Sequence, residues 1–109
     1  MASTLGTVEF LVDQMAGAGS VSAKRMFGEF GLYCDGKFFA IVADEQLFLK
    51  PTASGLALLG QPDEVPPYPG ASNWYRIDGE RWDERDWLSE LARVTVAALP
   101  LPKPKKPKS

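Results

Sequence analysis

Histidine is absent from this 109-residue chain and cysteine occurs once. The first absence removes the commonest general base and the commonest zinc ligand, and with them most hydrolase schemes. The single cysteine, Cys34, allows neither an intramolecular disulfide nor a CxxC metal or redox pair. A nucleophilic thiol needs a base or a cation beside it, and only Lys37 stands near in sequence. Cys34 is therefore expected to pack as a small buried hydrophobe. Long apolar runs are also lacking: the longest, Phe38 to Ala43, is strand-sized and far short of the roughly 20 residues that span a bilayer. No cation precedes the apolar positions between Met1 and Gly19, so the start does not resemble a signal peptide. The reading is a cytoplasmic protein without membrane contact. Gly28, Gly31 and Gly36 form neither a GxGxxG nor a Walker sequence ahead of a helix, and turns or bulges account for them. No catalytic residue, metal ligand or cofactor is expected.

What remains is an ordinary folded composition, 45% hydrophobic and 24% charged, in a length that holds one modest core. Charge is unevenly placed. Lys103, Lys105, Lys106 and Lys108 supply four of the twelve basic residues, whereas all fourteen acidic residues precede them. This divides the chain into a domain over residues 1–99 and a disordered Lys/Pro-rich tail over 100–109. An acidic body is not the footprint of a domain that lays its folded surface on DNA, which needs a basic face.

Along the body, Leu5, Val8, Val12 and Met15 recur at helical spacing, with Ser3 or Thr4 as N-cap and Gly17 and Gly19 as a stop. Lys24 to Tyr33 has strand composition interrupted at Gly28 and Gly31, which suggests a bend or bulge. Asp35-Gly36 between apolar runs predicts a two-residue type I′ hairpin. Phe38 to Ala43 reads as a central strand, and Asp44-Glu45 turns the chain into Gln46 to Lys50. Thr52 or Ser54 caps a short helix to Leu59, weakened by Gly55. The four prolines in residues 60–72 predict a surface loop, followed by a strand from Asn73 to Ile77. The last helix is expected from Asp83, with Asp83 and Asp86 as an acidic analogue of a capping box. Its stripe is Trp87, Leu88, Leu91, Val94, Thr95 and Ala98, and Pro100 ends it. The carboxylates Asp78, Glu80, Asp83, Glu84 and Asp86 are read as a solvated helix start rather than a Mg²⁺ site.

The run Lys24 to Tyr33 (KRMFGEFGLY), the Asp35-Gly36 hairpin with Phe38-Phe39-Ala40, Leu47-Phe48-Leu49-Lys50, the segment Pro66 to Ala71 (PPYPGA) and Trp74 together resemble the TfoX/Sxy N-terminal domain. The resemblance spans residues 5–99. It implies an α+β fold, similar to the secretion-chaperone architecture. An antiparallel sheet of four to five strands would carry an N-terminal helix, a short middle helix and a long C-terminal helix. It also implies a role in competence or transcription regulation and supplies no catalytic residues. In the full-length regulators a helical C-terminal domain follows; here a stand-alone N-terminal domain is expected.

Phe27, Phe30, Tyr33, Phe38, Phe39 and Phe48 either fill a core under the helices or line a sheet face, with core packing favoured. The candidate interaction residues are Lys24, Arg25, Phe27, Glu29, Tyr68 and Trp74, with an ordinary ion pair of Lys24 and Arg25 with Glu29 as the plainer account. Lys103, Lys105, Lys106 and Lys108 are the candidate nucleic-acid contacts. The leading expectation is a self-associating regulatory module that binds a protein partner, transcription machinery or another regulator. The alternatives are a weak nucleic-acid binder working through the tail and a small-ligand binder.

Overall fold

The computed structural model describes residues 5–26 and 29–100. Within them, helix α1 (Leu5–Gln14) precedes four strands, β1 (Val21–Met26), β2 (Glu29–Cys34), β3 (Lys37–Ala43) and β4 (Gln46–Leu49). Helix α2 (Ala53–Leu59), strands β5 (Asp63–Val65) and β6 (Trp74–Ile77) and helix α3 (Arg85–Ala98) follow. The strands form one antiparallel sheet in the order β1-β2-β3-β4-β6-β5, so β1 and β5 are its edges. The α+β class is as expected, with six strands in place of four to five. The additional strand is β5, inside the segment read as a proline loop. Between Pro62 and Pro66 its three residues pair Asp63 with Arg76, Glu64 with Tyr75 and Val65 with Trp74. An edge strand needs donors on one side only, so flanking prolines tolerate it and composition hides it.

Two tight turns set the register. Asp35 and Gly36 both have positive φ, 51° and 86°, the type I′ geometry that matches the twist of paired strands. Asp44 and Glu45 repeat it at 52° and 59° without glycine. Glu29 Oε2 accepts from the Asp44 N–H at 2.9 Å, and Thr7 Oγ1 donates to Glu45 at 2.7 Å, so tertiary contacts hold this less favourable turn. The bulge lies elsewhere than Gly31: Leu32 pairs with Ala40 and Tyr33 with Phe38, which leaves Phe39 as the extra residue. Gly31 has a steric reason instead, since a Cβ there would come within 2.5 Å of Met26 Sδ and 2.9 Å of Phe38 Cε1. Gly28 and the N-cap candidates Ser3 and Thr4 lie outside the described residues.

The helices cover one sheet face. Val8, Leu11 and Met15 of the first helical segment and Leu88, Leu91, Ala92 and Val96 of α3 meet Phe30, Leu32, Cys34, Phe39 and their neighbours in the main core. Leu5 instead points outward, 57% exposed, and Ala98 is exposed while Val96 is buried, both departures from the expected stripes. Such a core, at roughly 25 cal/mol per Å² of apolar surface removed from water, is the principal stabiliser of the domain. Gln14 ties α1 to the entry of α3: its Nε2 donates to Trp82 O at 2.8 Å, and Ser89 Oγ donates to its carbonyl at 2.7 Å. Thr52 caps α2 by accepting from the Gly55 N–H at 3.0 Å. Gly55, which weakened the expectation of this helix, is buried where α2 crosses α3; a Cβ would lie 3.1 Å from Thr95 Oγ1.

Helix α3 begins two residues later than Asp83, and Glu84 at its N-cap position makes no side-chain capping bond. Asp78 does the capping nearby: its Oδ1 accepts from the Glu80 N–H at 3.0 Å and starts the 3₁₀ turn Gly79–Arg81. The acidic run therefore begins a short turn ahead of the helix rather than a capping box. At the other end, Lys37 Nζ donates to the carbonyls of Val96 and Leu99, 3.1 Å each. A cation thereby meets the negative pole of the helix, sharing the Val96 carbonyl with the Leu99 N–H and adding a donor to the Leu99 carbonyl. Among the described residues no helix is long and apolar enough to cross a membrane.

Candidate interaction surface

Strand alternation sends a second set of side chains to the face away from the helices. Ile41, Ala43, Phe48 and Trp74 form a cluster there, with Phe38 and Val65 packed against it. The rings continue toward the β1 edge. Phe38 stands 5.5 Å from Trp74 and 5.2 Å from Tyr33, centroid to centroid, in the tilted arrangements that aromatic quadrupoles favour. The bulge at Phe39 makes this ladder. It puts Phe38 outward beside Tyr33 while Phe39 itself is fully buried among the helices. Met26 and Phe38 close over Gly31, where only glycine leaves room.

Two cations frame the ladder. Lys24 Nζ lies 5.2 Å from the centroid of Tyr33, and Lys50 Nζ lies 5.5 Å from that of Phe38. Arg25, on the opposite side of β1, lies 5.1 Å from the Phe30 ring. In place of the expected ion pair with Glu29, both cations of β1 thus rest on aromatic faces, and Glu29 accepts from the Asp44 N–H. The five described members of the aromatic set divide accordingly: Phe30 and Phe39 belong to the core beneath the helices, whereas Tyr33, Phe38 and Phe48 are on the outer face. Trp74 is 9% exposed and Tyr75 is buried; Tyr68, in the loop after β5, is 39% exposed. Of the expected interaction residues, Lys24 and Trp74 lie on the aromatic face. Phe27 and the four tail lysines are outside the described residues. Tyr33 and Phe38 belong to the aromatic set expected to fill a core or line a sheet face, and they take the face; Lys50 joins them through the strand register.

The chemistry elsewhere is quiet. Cys34 is fully buried in the main core. Burial first, and then the neighbouring Asp35 carboxylate, push its thiol above the ordinary range against a smaller opposing pull from Lys37. It packs as a hydrophobe, as expected. Among the described residues no three acidic or cysteine side chains converge where they could share a metal ion.

The TfoX N-terminal domain family matches residues 13–99, a stretch that holds the whole sheet and both later helices. The chain belongs to that family. This TfoX N-terminal domain is also similar to an uncharacterized 12.7 kDa protein from the trpE 5′ region of Spirochaeta aurantia. The two are 39% identical over 109 residues, covering 100% of this chain and 94% of the relative. In the TfoX domain the motifs first noted along the sequence map to particular positions: Lys24–Tyr33 forms the β1–β2 pair, Asp35-Gly36 its hairpin to β3, and Trp74 opens β6.

Proposed function

We propose that this TfoX N-terminal domain is a regulatory interaction module that engages a protein partner through the outer face of its sheet. The observation that carries the reading is the ladder Tyr33–Phe38–Trp74 framed by Lys24 and Lys50, on the sheet face opposite the described helices. Large rigid rings with cations at their rim combine desolvation energy with orientation, the combination found at the energetic centres of protein interfaces. Family membership adds the context of competence and transcription regulation. The partner we expect is a component of transcription machinery or another regulator, met in the cytoplasm.

Affinity capture from nuclease-treated native bacterial lysate tests this, using the intact chain and the double variant Tyr33→Ser, Lys24→Glu. A protein retained by the intact chain and reduced at least about ten-fold by the variant, the loss expected for removing about 1.4 kcal/mol of binding energy, supports the module. Equal retention by both proteins, or recovery only of nucleic acid without nuclease, overturns it.

A further inference from the structure

A cleft of about 640 Å³ opens at the end of the sheet where β4 begins and β6 ends. Its apolar surface comes from Leu59, Pro62, Ile77, Trp82 and Trp87. Its carboxylates, Glu45, Asp63 and Asp78, outnumber its guanidiniums, Arg76 and Arg81. Each arginine already meets a carboxylate, Arg76 that of Asp63 and Arg81 that of Glu84 at 3.1 Å, and Arg81 stacks 3.5 Å from the Trp87 ring centroid. Glu80, Asp83, Glu84 and Asp86 continue the acidic run beside it. An anion would meet excess negative charge here, whereas a cationic, proline-containing strand would find both indoles and carboxylates.

We propose that this cleft is the docking site of the proline- and lysine-rich segment 100–109 of the same chain. Proline fixes such a segment in an extended polyproline form, so it loses little entropy on lying against aromatic rings. Its lysines then face the carboxylates. The segment can reach: Leu99 follows α3 at the end pinned by Lys37, and Trp87 lies on the first turn of the same helix. Twelve residues of helix separate them by about 18 Å, while the ten residues 100–109 extend about 31 Å in polyproline geometry.

The test compares the full chain with a full-length variant in which Lys103, Lys105, Lys106 and Lys108 are all replaced by Gln, reading the indole N–H resonances of the three tryptophans. Trp74, buried on the outer sheet face, is the internal reference. The expected result is a difference between the two proteins at Trp82 and Trp87 but not at Trp74, unchanged over a ten-fold range of protein concentration. It should shrink several-fold between about 50 mM and about 500 mM NaCl, as the screening length contracts. Coincident spectra overturn the proposal. So does a difference that grows with protein concentration, which would assign the cleft to the tail of a second copy.

Discussion

Replacing Lys37 by Met tests how far one side chain holds the sheet and the last helix together. The aliphatic stem is kept, and what is lost are the hydrogen bonds from Nζ to the carbonyls of Val96 and Leu99, both 3.1 Å long. A hydrogen bond from a charged donor contributes about 1.5–3 kcal/mol in favourable settings, and a cation at a helix C-terminus about 0.3–1 kcal/mol. Lys37 is half-buried and Leu99 partly exposed, so water takes over much of what the ammonium leaves. The net cost should be about 1–2 kcal/mol, well below the roughly 3 kcal/mol or more that two such bonds and the helix-end charge would sum to without that solvation. A domain of this size loses about 4–8 °C of Tm per kcal/mol. Thermal melts followed by circular dichroism, alongside Lys50→Met as a control that removes only a cation from a ring, give the answer. A Lys37→Met Tm within about 1 °C of the parent, or a larger fall for Lys50→Met, would refute the assignment of Lys37 as the clasp of α3.

Thr95→Val should stabilise the domain by about 1 kcal/mol in denaturant titration, because the buried Thr95 hydroxyl finds no partner among the described residues and valine keeps its shape. Thr52→Ala should cost about 1 kcal/mol, read the same way, through loss of the α2 N-cap. Gly31→Val should destabilise more than Gly31→Ala, and both should disturb the Phe38 ring resonances, since the added carbons meet Met26 and Phe38. The native Cys34 thiol should react with a disulfide reagent orders of magnitude more slowly than the unfolded chain near neutral pH. Because its folded pKa is raised, the stability it contributes is complete below the unfolded thiol value of about 8.5 and is lost as pH rises through the higher folded value. In Lys37→Met that loss should move to still higher pH, because the opposing cation is gone.

The parts of the fold written in local chemistry could be read from the chain. Asp35-Gly36 demands positive φ at two successive residues, and that demand places the hairpin to the residue. The Thr52 cap and the helical spacing of Leu88, Leu91 and Thr95 are equally local. What escaped depends on partners distant in sequence. β5 exists because β6 offers it hydrogen bonds, not because Asp-Glu-Val prefers to be extended. The bulge at Phe39 decides which of two adjacent phenylalanines is core and which is surface, and no spacing rule distinguishes them. The acidic run from Asp78 to Asp86 looked like a helix start because capping residues serve a 3₁₀ turn as well as an α-helix. The aromatic face was half visible: Lys24 and Trp74 were singled out, while Tyr33 and Phe38, expected in a core or on a sheet face, and Lys50 joined them only through the bulge and the register.

The two edges of the sheet bear opposite signs, Lys24 and Arg25 on β1 and Asp63 and Glu64 on β5. Like edges of two molecules repel, so the symmetrical contacts that would fuse two sheets are disfavoured. Opposite edges attract, yet a three-residue strand between prolines offers a neighbour too few hydrogen bonds to continue a ladder. At high concentration the domain is thus guarded against growing into fibres. Neutralising Lys24, which lies on the outer face, would weaken that guard on the longer edge without touching the main core.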